Sequence, residues 1–149
     1  MLKRSAFVSL LALLLFALPG WAQLSYPDKA GSEVQCGISI VSPKFNLSGI
    51  CMLVNDSDTI KGAVLNEFGV TFIDFVYRPE TDKVELSHVY AKLDKWYIRD
   101  VMAADVKSLL KAFRQGSTDY RDEKYNITFN LTPLSNIEED DSEEPIIQD

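Results

Sequence analysis

Between Glu33 and Tyr90, apolar and β-branched residues recur at alternate positions in short runs separated by turn-forming residues. Val34, Cys36, Ile38 and Ile40 alternate with Gln35, Gly37 and Ser39, which is the two-residue period of a half-buried strand. Ser42-Pro43-Lys44 breaks this run, and a second strand is expected over 45–54. Asn55-Asp56-Ser57-Asp58 is a turn cluster, after which strands over 59–66 and 70–77 flank Glu67-Phe68-Gly69. A fifth strand over 83–90 sets Val84, Leu86, His88 and Tyr90 on one face. Five antiparallel strands in a meander are the simplest arrangement.

The period changes after Tyr90. Ile98, Val101, Met102, Val106, Leu109, Leu110 and Phe113 fall largely three and four residues apart, as on an amphipathic helix, and Gly116 suits its C-terminal cap. Asp105 is also a good N-terminal capping residue, so 92–115 reads as one long helix or two short ones. Tyr125, Ile127, Phe129 and Leu131 then alternate with polar residues in a last strand. Strands with an inserted helical segment define one α+β domain over residues 33–135.

The ends of the chain differ in kind from this domain. Lys3 and Arg4, an apolar run from Ala6 to Ala17, and small residues Gly20 and Ala22 form a secretory signal peptide over residues 1–22, cleaved before Gln23. Residues 23–32, with Pro27 and Gly31, form an irregular lead-in. Loss of Lys3 and Arg4 takes the net charge from −7 to −9, and seven of the acids lie between Ile137 and Asp149. Residues 136–149 are therefore expected to be a disordered acidic tail, while the domain itself is nearly neutral. Its charge excludes the basic footprint of a nucleic-acid binder, and the expected location is outside the cytoplasm, in the periplasm.

Candidate chemistry is sparse. One histidine cannot build a zinc site or a catalytic triad without partners, so neither metal, cofactor nor catalytic residue is expected, and His88 reads as a hydrogen-bonded side chain of the sheet. Asp74 interrupts an apolar run and lies either at a solvated edge or buried with a partner. Cys36 and Cys51 are the only cysteines. A hairpin centred between Pro43 and Lys44 would place them opposite each other, as a disulfide or as two buried thiols.

Ser48-Gly49 opening an apolar strand, Asn66-Glu67-Phe68-Gly69 before the next, the pair Asp74-Phe75, and a helical segment ending Asp105-Val106-Lys107-Ser108-Leu109-Leu110 together resemble the LolA/LolB-like lipoprotein carriers. The resemblance implies a curved antiparallel sheet, an incomplete barrel, whose concave apolar face is lidded by helices and holds acyl chains. Strand alternation puts Ile73, Phe75 and Tyr77 on the face that Asp74 avoids, and Leu86 and Trp96 are large enough to join that wall. The expected function is that of a non-enzymatic carrier binding a lipid or an acylated protein, with peripheral membrane contact. The alternative is a non-catalytic interaction or accessory subunit of the cell envelope. An enclosed apolar cavity favours the first and an exposed flat apolar patch the second.

Overall fold

Each of the turns expected between Glu33 and Lys83 reverses the chain, and the strands between them pair in sequence. The structure, a computed structural model, describes residues 24–134. The signal peptide and acidic tail expected from the sequence lie outside the described residues. Strands β1 (Glu33–Val41), β2 (Asn46–Asp56), β3 (Thr59–Asn66), β4 (Thr71–Arg78) and β5 (Lys83–Val89) form the meander. A 3-10 turn at Ala91–Leu93 leads into helix α1 (Trp96–Arg114), followed by β6 (Asp119–Asp122) and β7 (Ile127–Pro133). All seven strands are antiparallel neighbours in one sheet, in the order β5-β4-β3-β2-β1-β7-β6. The sheet curls into half a barrel, and α1 crosses its concave side, touching both edge strands, β5 and β6. The fold is α+β, an incomplete barrel with a single helix.

One helix forms rather than two. Asp105 lies in its middle, so its side chain caps nothing and instead turns toward the sheet. The helix stops where the sequence provides for it: Gly116 takes φ +96°, Gly116 N–H donates to Phe113 O and Ser117 N–H to Ala112 O. This paired return of donors onto the last turn satisfies carbonyls that the helix leaves free. Toward the same end, Lys111 Nζ and the Tyr77 hydroxyl both bond to Asp82, at 3.1 and 2.9 Å, tying α1 to the β4–β5 turn. The Tyr26 ring meets Phe113 edge-on at 5.9 Å, so the lead-in covers the end of the helix.

Besides a bulge in β4, where Phe72 is the extra residue, two local features depart from the expected pattern. Leu86 pairs with Phe75 and His88 with Asp74, which leaves Ser87 as an extra residue in β5. A bulge of this kind rotates every later side chain to the other face. His88 is consequently exposed on the convex face, not in phase with Val84 and Leu86 as alternation suggested, and Val89 enters the core in its place. The second departure is β6. Asp119–Asp122 is a four-residue edge strand that has too little apolar periodicity to announce itself. It pairs with β7, whose start is Ile127 rather than Tyr125 because Tyr125 belongs to the intervening turn.

Candidate functional site

The concave face is built by the inward positions of the meander and β7. Ile38, Cys51, Leu53, Val64, Ile73 and Phe75 from the sheet meet Val106, Leu109, Leu110 and Phe113 from α1, all of them buried. Gly62 interrupts the inward row of β3 for a steric reason: a β-carbon there would lie 2.1 Å from Cζ of Phe75. The ring fills the space the glycine leaves. The hollow remaining between sheet and helix is about 20 Å³. Sites for small organic ligands enclose roughly 300 to 1,000 Å³. With α1 seated, this face is a packed core.

The five residues expected to form the acyl-binding wall divide accordingly. Ile73, Phe75 and Tyr77 are buried side by side on β4, and Leu86, half-buried, pairs with Phe75 across β5. Trp96 stands apart from them, 77% exposed at the first turn of α1 and edge-on to Tyr97 at 5.6 Å. Helical periodicity shows which face of α1 is apolar, but the buried part begins only at Asp105, so the first turns project beyond the core.

An ionisable group is sealed into this core. Asp105 is 3% exposed, and its Oδ2 has no hydrogen-bond partner. Burial first, and then the Asp122 carboxylate of β6, push its pKa up to about 8. At neutral pH Asp105 therefore holds its proton and can donate it to Asp122, which turns a like-charge contact between α1 and β6 into a hydrogen bond. The sequence held a trace of this: Asp105 falls three residues after Met102 and four before Leu109, inside the apolar stripe. Two neighbouring carboxyls suit general acid-base work only where substrate can reach them, and the small hollow is lined by apolar neighbours without either acid. Tyr77 is pushed up to about 12 by burial and by its hydrogen bond to Asp82. Among the described residues no cluster of His, Cys, Asp and Glu could hold a metal ion, and no helix is long and apolar enough to cross a membrane.

Cys36 and Cys51 are directly opposed on β1 and β2, both buried, with Cys36 Sγ–H pointing at Cys51 O at 3.7 Å. The hydrogen bond with the Cys36 sulfur, and then burial, raise the Cys51 thiol well above its ordinary value.

The convex face carries a signal the strand reading did not use. Ile50, Met52 and Val54 point outward from β2 and are 36 to 38% exposed. The register sets Leu65 beside Ile50 and Ala63 beside Met52 on β3, while Gly37 opposite Ile50 on β1 adds no side chain. The unbroken apolar run Ile50-Cys51-Met52-Leu53-Val54 is what a strand covered on both faces looks like, and here only one face is covered. A wider open groove of about 590 Å³ lies where the lead-in passes β1 and the end of β7, between Leu24, Tyr26, Val34 and Leu134.

Comparison with protein-family models, with characterised proteins and with solved structures found no match to the chain. The likeness to the lipoprotein carriers rests on the motifs quoted from the sequence.

Proposed function

We propose that this chain is an exported, non-catalytic interaction protein of the cell envelope, which acts by presenting the convex face of its half-barrel to a protein partner. One observation carries this reading: three consecutive outward positions of the central strand β2, Ile50, Met52 and Val54, are large and apolar yet uncovered. A single exposed apolar side chain is ordinary, but a contiguous apolar patch on a sheet face is costly to solubility and marks contact surfaces. The filled concave face supports the same reading, because it offers no room for a ligand while α1 is seated. The test is a photo-crosslinking amino acid at position 52, carried by the protein in its own cell. A discrete adduct with one partner, lost on Ile50→Asp in a chain that still folds, supports the reading. No adduct from position 52, with the chain shown to be folded and exported, sinks it.

A second reading keeps the carrier role and is favoured by the way α1 is held. The N-terminal cap of the helix has no side-chain hydrogen bond and Trp96 and Tyr97 in its first turn are exposed, whereas its C-terminal end is tied to Asp82 and Tyr26. A helix pinned at one end and weakly held at the other is suited to swinging away from Ile73, Phe75 and Tyr77, which would open their apolar face to an acyl chain. Native mass spectrometry of the protein from its own envelope tests this, since a copurifying lipid would establish a carrier and an unliganded mass would discard it.

A further inference from the structure

The two ends of the half-barrel differ in character. Because the strands are antiparallel, the β1–β2 turn, the β3–β4 turn, the β5–α1 connection and the β6–β7 turn all lie at one end of the sheet. Among the described residues, eight of the eleven exposed large apolar side chains lie there, and the other three are those of β2 on the convex face. The opposite end, formed by the β2–β3 and β4–β5 turns and the lead-in, has none of them and carries Asp56, Asp58, Glu80 and Asp82 in its two turns. We infer that the first end is a membrane-docking surface, which inserts its aromatic tips into the headgroup region of a lipid bilayer.

Three features make these side chains a built surface. The tips are rigidly presented, since a polar side chain organises each of the three turns. Ser42 Oγ accepts from Phe45 N–H at 3.0 Å, Asn66 Oδ1 accepts from Phe68 N–H at 3.0 Å and Val70 N–H at 2.9 Å, and Asp122 Oδ1 accepts from Tyr125 N–H at 3.2 Å. Phe68 is thus held outward, 82% exposed, at the top of a turn closed by Gly69 at φ +76°. Rigid presentation reduces the entropy lost on binding. The tips are also joined across the sheet: Phe72 lies 6.4 Å from the Phe45 ring and 6.2 Å from the Tyr90 ring, which it stacks against.

The placement of lysines beside the rings gives the third feature and selects lipid as the occupant. Lys44, Lys95 and Lys124 immediately precede Phe45, Trp96 and Tyr125, and Lys124 Nζ sits 5.2 Å from the Tyr125 ring centroid. An aromatic ring at headgroup depth with an ammonium beside it matches the layered chemistry of a bilayer surface, where apolar bodies enter and cations meet phosphates. Both ends of the described chain, Leu24 and Leu134, lie by the groove at the opposite end of the half-barrel. The acidic stretch therefore follows in sequence from the end that carries no aromatic tips, and in the connections of the docking end Lys44, Lys92, Lys95 and Lys124 balance Glu67, Asp94 and Glu123.

All described elements lie within the chain from Gln23 to Asp149, and in that chain Trp96 is the sole tryptophan. Its emission therefore reports directly on this surface. With vesicles of phosphatidylethanolamine and phosphatidylglycerol, Trp96 fluorescence is expected to shift to the blue and the protein to sediment with the lipid. Phe68→Ser and Phe45→Ser should each weaken partitioning about tenfold, the loss expected for an aromatic side chain withheld from an apolar phase. Met52→Ser, on the convex face, should leave partitioning unchanged, so failure of the protein-contact reading and failure of this one are separable. The inference is overturned if folded wild-type protein shows neither shift nor sedimentation, or if the Phe45→Ser, Phe68→Ser double variant binds as well as wild type.

Discussion

The ring of Phe75 occupies the place where a β-carbon on Gly62 would stand, two strands interlocking by the absence of one side chain. Gly62 is therefore a packing position, and its backbone needs no unusual conformation. Gly62→Ala puts a methyl group 2.1 Å from an atom of a buried ring already pressed against α1. Overpacking of this kind costs about 1 to 3 kcal/mol. Urea denaturation should show a lower midpoint with an unchanged slope, and a midpoint equal to wild type would mean that the ring has room to move.

The two aromatic residues that sequence reasoning placed in one wall should behave oppositely. Phe75→Ala empties core volume and is expected to destabilise by about 3 to 5 kcal/mol. Trp96→Ala removes a side chain that is 77% exposed, so the change should stay within about 0.5 kcal/mol. Thermal denaturation of the two variants separates them, and comparable losses in both would place Trp96 in the core after all.

That contrast shows how much of the fold is legible in the sequence. The meander was legible because period-2 alternation with turn clusters has few competing interpretations. The opposition of Cys36 and Cys51 was legible because the turn Ser42–Phe45 is symmetric about Pro43 and Lys44: Ser42 N–H donates to Phe45 O, and Pro43 takes the second turn position, which needs no N–H. His88 was misplaced because one extra residue, Ser87, reverses the parity that alternation depends on, and no residue type announces a bulge there. The end of α1 was visible in Gly116, whereas the point at which the helix meets the sheet depends on sheet curvature and not on helical period. The aromatic end was missed because its members come from four separate connections, which only the antiparallel topology brings together.

Cys36 and Cys51 sit within bridging reach, since directly opposed residues of antiparallel strands have Cα atoms about 4.5 to 5.5 Å apart. In an oxidising compartment the pair is expected to be a disulfide closing a loop 15 residues long, worth up to about 3 kcal/mol. Exported protein, denatured without reductant, should then show no reactive thiol, and two after reduction. Two thiols reacting before reduction would show that burial keeps the sulfurs apart from oxidant.

Asp105 gives the core a pH signature. Its carboxyl titrates at an ordinary 3.8 in the unfolded chain and at about 8 in the fold, because burial and then the adjacent Asp122 carboxylate disfavour its charged form. Between those values the folded chain holds a proton that the unfolded chain has released, so stability falls as pH rises. This contribution is complete below about pH 3.8 and is lost as the pH climbs through about 8, at no more than about 1.4 kcal/mol per pH unit. Asp82 and Asp94, both lowered by hydrogen bonds to their partners, act in the acid range instead, and Tyr77, at about 12, acts in the far alkaline range. Asp105→Asn keeps the side chain's volume, supplies a permanent donor to Asp122 and removes the titration. Urea midpoints measured from about pH 6 to about pH 8.5 should therefore decline for wild type and stay nearly level for the variant, which becomes the more stable of the two at the alkaline end. Parallel declines in both chains would show that the proton taken up on folding resides elsewhere.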